Sequence, residues 1–460
     1  MPDLVIANAT LVTPEFTQAG MRITLGDGKV LAVEPEPSGT ASHREQATAD
    51  ECRWIDAHGR LVLPGLIDCH THFGAFLPFE EDLVTESRAA ADGGFTTVCH
   101  VILEQGSILE RLPYYTDAVG RLSTVDMHFW AACMTDEHLD EIPRLRARGI
   151  RGFKFFLSYK GDEMKSVGIF GIDYGYLQRG LERVADCGGV AIVHVENYEL
   201  LQLHRARQAG NNDFLAFCHS RPPICEEVDA FATCRMALEA RAELYLVHTG
   251  TAAVVDIAKE FRTRGLKVHL ETGPRYLLID ENGTGLACPE EAITTPAYKS
   301  RDNADALWKA LARGDLDTIA TDSAANLRAT KLASGSVWKL QPSWQEMPTA
   351  FATLFTHGVG TGRLQPSQLA QLMSAAPARI FGLHPAKGSL APGADADLVM
   401  IDSDITYTVD RDPHSACDYT PYRGWQLRGR PVLTMVRGRV VMRQGQVTAA
   451  SGWGRAVGLA

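Results

Sequence analysis

Short apolar runs separated by turn signals open the chain. Leu4-Val5-Ile6, Leu11-Val12, Met21-Arg22-Ile23 and Val30-Leu31-Ala32-Val33 predict strands, with a turn at Gly26-Asp27-Gly28. The stretch from Glu34 to Asp50, rich in Pro, Ser, Gly and Ala, predicts a loop. No helix is predicted before about residue 60.

From about residue 61 the pattern changes. Apolar runs recur at Gly94-Phe95-Thr96-Thr97-Val98, Met127-His128-Phe129-Trp130, Gly152-Phe153-Lys154-Phe155-Phe156 and Val190-Ala191-Ile192-Val193. They continue at Leu244-Tyr245-Leu246-Val247, Lys267-Val268-His269-Leu270 and Thr318-Ile319-Ala320. Segments with apolar residues at helical spacing, such as Tyr176 to Asp186 and Ala252 to Arg264, lie between them. Repeated strand–helix alternation implies an α/β fold with a parallel sheet, and closure into a (β/α)8 TIM-like barrel is its natural solution. An open doubly wound sheet is the alternative, but no Gly-x-Gly-x-x-Gly turn opens the first strand–helix unit. After about residue 388 the strand pattern returns, in Asp397-Leu398-Val399-Met400-Ile401, Val432-Leu433-Thr434-Met435-Val436 and Arg439-Val440-Val441. The expectation is a barrel over 61–387 and a small β-sandwich domain assembled from 1–60 and 388–460.

Composition narrows the function classes. Among 460 residues, 45% are hydrophobic and the formal net charge is -11, which argues against a nucleic-acid or anionic-membrane partner. A locally basic pocket stays open. The start, Met-Pro-Asp-Leu-Val-Ile-Ala-Asn, has no basic stretch followed by an apolar one, so no secretory leader is predicted. No apolar run approaches the roughly 18 residues of a membrane span. Ten scattered cysteines without a Cys-x-x-Cys pair read as reduced core residues, and the predicted location is the cytoplasm.

The chemistry lies at strand ends. His70 and His72 follow the apolar run Leu61 to Ile67, and residues two apart on a strand share a face, where two imidazoles can chelate one divalent cation. A pair of exposed loop histidines is the alternative. Two further runs end in histidine, at His194 and His248, and another reaches Asp322. Such ends converge on one mouth of a barrel, so together they point to a metal site. Lys154 sits among Phe153, Phe155 and Phe156. Either it snorkels its amine to the surface, or burial depresses its pKa and frees the amine to react with carbon dioxide. The resulting carbamate would offer two oxygens for bridging two cations.

At these residues the chain resembles the cyclic amidohydrolases, specifically the dihydropyrimidinase and hydantoinase group. The resemblance covers nearly the whole chain. It rests on Pro64 to His72, Phe153 to Lys160, Glu271 to Leu277, Ala306 to Leu311, Lys387 to Val399, and the tail from Gly424-Trp425 to Gly452-Trp453-Gly454-Arg455. It implies that His70, His72 and Asp322 hold one metal and that His194 and His248 hold the other, with carboxylated Lys154 bridging. Zinc is the implied metal, and manganese, cobalt or iron would suit the same donors. Tyr159 falls where hydantoinases place a tyrosine that stabilises the oxyanion, and Thr295 where a serine contacts the substrate. Asp322 would carry the proton.

The implied reaction opens the amide bond of a cyclic amide or ureide, a dihydropyrimidine or 5-substituted hydantoin, by attack of a hydroxide bridging the metals. Homologous tails that reach over a neighbour imply a homotetramer, or a homodimer. Two alternatives stand beside this reading: hydrolysis of another cyclic imide, lactam, acyclic amide or carbamate, and a non-catalytic dihydropyrimidinase-related protein.

Three departures from the hydantoinase pattern are visible. Ser323 follows Asp322 where a histidine is usual, Gly273-Pro274-Arg275-Tyr276 replaces Cys-Pro-Gln-Tyr, and Gln341-Pro342-Ser343-Trp344-Gln345-Glu346 replaces a glycine-rich substrate loop. Arg275 is accordingly a candidate substrate contact favouring an anion.

Overall fold

A computed structural model describes residues 3–37, 53–161 and 164–460. The chain opens with strands β1 (Leu4–Val12), β2 (Thr17–Gly26), β3 (Lys29–Pro35), β4 (Arg53–Asp56) and β5 (Leu61–Pro64). The two runs expected at 4–6 and 11–12 form one strand, with a register break between Ile6 and Ala9 and Asn8 left-handed at φ 54°. The predicted loop over 34–50 begins after Pro35, and its residues 38–50 lie outside the described ones.

The parallel strands follow: β6 (Leu66–Thr71), β7 (Phe95–Ile102), β8 (Asp126–Ala132), β9 (Gly152–Phe156), β10 (Val190–His194), β11 (Glu243–Leu246), β12 (Val268–Thr272) and β13 (Thr318–Ile319). They pair in sequence order as one eight-stranded sheet. The seam between β13 and β6 is spanned by a parallel bridge of Thr71 with Ser323, the His72 amide donating to the Ser323 carbonyl at 2.8 Å. Asp68 ties the same seam, accepting from the Thr321 hydroxyl at 2.5 Å and the Thr321 amide at 3.1 Å. The sheet is therefore a barrel. Every second residue points inward, so Ile67, Cys69, Val101, Trp130, Ile192 and Tyr245 fill the interior. The alternate residues, Leu66, Val98, Phe129, Phe153 and Val193 among them, pack in one core with apolar residues of the surrounding helices. The two helical segments anticipated from spacing are Tyr174–Cys187 and Ala252–Thr263. The first is capped by Asp173, whose carboxylate accepts from the Tyr176 amide.

The chain ends with β14 (Leu398–Thr408), β15 (Gln426–Val436), β16 (Arg439–Arg443) and β17 (Gln446–Val447). Strands from both termini make one nine-stranded mixed sheet in the order β17-β16-β15-β14-β5-β1-β2-β3, with β4 beside β1. Its two halves join where Leu398 of β14 lies opposite Pro64 of β5. The strand 61–64 thus still belongs to the terminal sheet, and the chain crosses to the barrel at Gly65. Only glycine fits there, because a Cβ would lie 2.1 Å from the Thr96 hydroxyl.

The two sheets meet through a buried ion cluster. Lys387 Nζ donates to Asp126 of β8 at 2.5 Å and to Asp397 at 2.7 Å, and it lies 2.9 Å from Asp395. Arg437 also binds Asp126. The C-terminal tail packs against its own barrel rather than projecting away. The Val457 amide donates to the Met127 carbonyl at 2.9 Å and the Ala460 amide to the Arg148 carbonyl at 3.0 Å. The nine described cysteines are free, and all but Cys187 and Cys288 are buried. Among the described residues no helix is long and apolar enough to cross a membrane.

Candidate metal centre

The C-terminal ends of the barrel strands bring the six expected ligands together. His70 is the penultimate residue of β6 and His72 follows that strand. Lys154 is central in β9, His194 ends β10, and His248 and Asp322 lie just beyond β11 and β13. His70 Nε2 is 3.2 Å from His72 Nε2, 3.3 Å from Lys154 Nζ and 3.4 Å from Asp322 Oδ1. Asp322 Oδ1 is also 3.1 Å from His72 Nε2. The His194 and His248 rings meet edge to face at 4.4 Å, and the His248 and His70 rings stack at 5.6 Å. Tyr159, His248 and Asp322 are left-handed, at φ 65°, 38° and 50°, a conformation that costs a non-glycine residue energy and concentrates at functional sites.

Carboxylates behind the imidazoles decide which nitrogen faces the site. Buried Glu271 takes a hydrogen bond from His70 Nδ1 at 2.9 Å and Glu196 takes one from His194 Nε2 at 2.8 Å. With their protons spent there, Nε2 of His70 and Nδ1 of His194 keep lone pairs, the arrangement found behind metal-bound histidines. Glu196 is itself ion-paired with Arg221 at 3.0 Å. Burial opposes its ionisation, but Arg221 and His194 hold its carboxyl down at about 2. Sequence reasoning missed Glu271 and Glu196. Glu271 ends a β run as the other ligands do, and Glu196 stands two residues beyond His194, so a search for carboxylates beside the histidines would have found both.

Electrostatics favours ligand-ready forms. Burial lowers the pKa of His70, His194 and His248, and Lys154 nearby pushes each further down, so these imidazoles are neutral at pH 7. Burial also lowers the Lys154 amine to about 8, against the pull of Asp322 and Glu271. Burial raises the Asp322 carboxyl, but the hydrogen bond from His72 and the charge of buried Arg275 oppose it, and the group stays ionised, below the ordinary carboxylate range.

The donor set fits divalent cations. Ligand atoms of His70, His72 and Asp322 lie within 4.8 Å of one another. Two Nε2 atoms facing each other at 3.2 Å beside a carboxylate are incompletely complemented by hydrogen bonds alone. Among the described residues no hydrogen-bond partner reaches the buried His248 Nδ1. Lys154 Nζ is 3.3 Å from His70 Nε2 and lines the same cavity as His194, His248 and Asp322.

The cavity above these residues is lined by Phe76, Phe156, Tyr159, Thr295, Pro342 and Ser343 besides the ligands. Two of the three expected substrate contacts, Tyr159 and Thr295, line it, with Tyr159 Oη 2.6 Å from Thr295 Oγ1. Five cavity residues, Phe76 and Thr295 among them, also line an outer chamber of about 120 Å³ bounded by Phe217 and Trp338. Arg275 does not line the cavity. Its guanidinium is fully buried and bound to Glu346 at 2.9 Å, which corrects the expectation that it meets an anionic substrate. Ser323 also turns away, its hydroxyl accepting from the Glu346 amide at 3.0 Å.

Known proteins resemble the chain over nearly its whole length. The sequence pattern of the amidohydrolase family matches residues 61–441. The D-hydantoinase of Geobacillus stearothermophilus is 31% identical over 471 residues, covering 98% of this chain and 95% of that protein. The L-hydantoinase of Paenarthrobacter aurescens is 30% identical, covering 99% and 98%. Among solved structures, a D-hydantoinase superposes with a TM-score of 0.89 at 28% identity, over 99% of this chain and 98% of that one. The L-hydantoinase (dihydropyrimidinase) of Arthrobacter aurescens gives a TM-score of 0.89 at 28% identity, over 99% of both chains.

Proposed function

The chain belongs to the hydantoinase and dihydropyrimidinase group of the amidohydrolase family, and from that premise we propose that it opens the ring amide of a small cyclic amide or ureide at a binuclear metal centre. A 5-substituted hydantoin or a dihydropyrimidine is the proposed substrate class. The convergence of His70, His72, Lys154, His194, His248 and Asp322 at one barrel mouth, with His70, His194 and His248 neutral, carries this reading.

His70, His72 and Asp322 would hold one divalent cation and His194 and His248 the other, with Lys154, carboxylated on Nζ, as a further oxygen ligand. Zinc is the proposed metal, and the nitrogen and oxygen donors would also accept manganese, cobalt or iron. Bound there, the two cations supply Lewis acidity to the scissile carbonyl and make water nucleophilic near neutral pH.

The chain's own groups do the rest. Asp322, ionised in its site, takes the proton of the attacking water and passes it to the leaving ring nitrogen. The Tyr159 hydroxyl donates to the oxyanion that forms, exchanging its contact with Thr295 for one with the substrate. Thr295 then turns its hydroxyl to the ring. The product is an N-carbamoyl amino acid or a related acid amide. A cytoplasmic homotetramer is proposed from the family alone, and sedimentation of the purified protein reads the assembly.

A panel of hydantoins, dihydrouracil, allantoin, cyclic imides, lactams and acyclic amides, assayed with metal content measured, tests the function. Two divalent ions per chain and ring opening of at least one cyclic ureide are expected. A fully metallated protein that opens none of the rings, or that cleaves only acyclic amides, overturns the reading.

A further inference from the structure

The three places where the sequence departs from the hydantoinase pattern form one buried cluster. Arg275 Nε donates to Glu346 Oε2 at 2.9 Å, and the guanidinium carbon lies 4.0 Å from the centre of the Trp344 ring. Glu346 in turn accepts from the Tyr422 hydroxyl, and its amide donates to Ser323 Oγ at 3.0 Å. Arg275, Trp344 and Glu346 are all fully buried.

The remaining guanidinium donors reach the metal site from behind. Nη2 donates to the Thr321 carbonyl at 2.5 Å, one residue before Asp322. Nη1 donates to Thr294 Oγ1 at 3.1 Å and to Ser343 Oγ at 3.2 Å. Ser343 Oγ itself donates to the Asp322 carbonyl at 2.5 Å. One planar fork therefore holds the carbonyl before Asp322 directly and that of Asp322 through a serine. Asp322 and Ser343 are both left-handed, at φ 50° and 68°, so their backbones need such outside restraint. A lysine ammonium carries the same charge but cannot place donors in these fixed directions.

We propose that Arg275 and Glu346 are a positioning pair that aims the Asp322 carboxylate into the metal site and sets the Ser343 wall of the substrate cavity. This rests on the reading of Asp322 as metal ligand and proton carrier. The substrate does not touch either residue; they act through Thr321, Asp322 and Ser343.

Arg275→Met alone would strand the Glu346 charge in the interior and can prevent folding. The test therefore uses the double variant Arg275→Met with Glu346→Gln, which removes both charges, and Arg275→Lys, which keeps both charges but not the planar fork. Each metal-free protein is titrated with Co²⁺, whose visible absorption reports ligand geometry, and kcat and KM are measured on the best ring of the panel. A folded double variant should show an altered Co²⁺ spectrum and a kcat lower by about 10–100-fold, with KM within about threefold. Arg275→Lys should fail to restore either property. A wild-type Co²⁺ spectrum with unchanged kcat in the folded double variant, or full restoration by Arg275→Lys, overturns the proposal. If the wild-type protein opens no ring, the functional reading falls, while the Co²⁺ spectra still decide the role of the pair.

Discussion

Glu271 Oε1 lies 2.9 Å from His70 Nδ1, and both side chains are buried. The same oxygen takes the His248 amide at 2.8 Å, and the other takes the Tyr245 hydroxyl at 2.8 Å. One carboxylate thus orients a histidine on the first barrel strand and anchors the backbone of another from the sixth. Glu271→Gln keeps the shape but weakens the acceptor facing His70. Zinc affinity of the metal-free protein, measured against a competing chelator, should fall by about 10–100-fold. Unchanged affinity would remove Glu271 from the site's machinery.

Lys154 is expected to be modified only as the free amine. Burial lowers its pKa to about 8, so the free amine becomes the major form above that pH, in the range where burial also places the Glu271 carboxyl, at about 8. At fixed dissolved carbon dioxide, reactivation of metal-free protein should quicken by about tenfold per pH unit below 8 and level off above it. Lys154→Ala should lose metal and activity together, and short carboxylic acids should restore part of both. A rate independent of pH, or an active alanine variant, would end the carbamate reading.

Tyr159→Phe removes a hydroxyl but no proposed metal ligand. Turnover should drop by about 10²–10³-fold, the usual cost of an oxyanion donor, while metal content stays at the wild-type level. Loss of metal in this variant would make Tyr159 a structural residue instead.

Lys387 neutralises a cluster of aspartates at the junction of barrel and terminal sheet. Burial works against its charge, but Asp397, Asp126 and Asp395 outweigh burial and raise its pKa above the ordinary lysine value. A raised lysine pKa contributes stability that is complete at neutral pH and fades only as alkaline pH passes through the raised value. Lys387→Met leaves buried carboxylates without their cation, and stability should fall by about 3–5 kcal/mol, read as an earlier urea midpoint. A midpoint unmoved at pH 7 would show that Arg437 alone suffices to hold Asp126.

Much of the architecture follows from local pattern. The barrel strands were visible because a strand covered on both faces is a continuous apolar run, and the helices because their apolar residues recur at helical spacing. Short strands with polar outer faces were harder to delimit: β1 reads as two runs, since the left-handed Asn8 interrupts its apolar residues without ending the strand.

The site divides along the same line. His70, His72, His194, His248 and Asp322 could be found because each ends or follows an apolar run, and parallel strand ends must share one barrel mouth. Lys154 was suspect because its flanking phenylalanines would bury a charge. What the tertiary structure alone decided was the partner of each polar group. Glu271 meets His70 across 201 residues of chain, Asp68 meets Thr321 across 253, and Arg275 meets Glu346 across 71. A charged side chain means one thing facing water and another facing a buried opposite charge, and no local spacing encodes which it faces. Arg275 therefore read as a substrate contact in the sequence, and in the folded chain it braces Asp322 from behind.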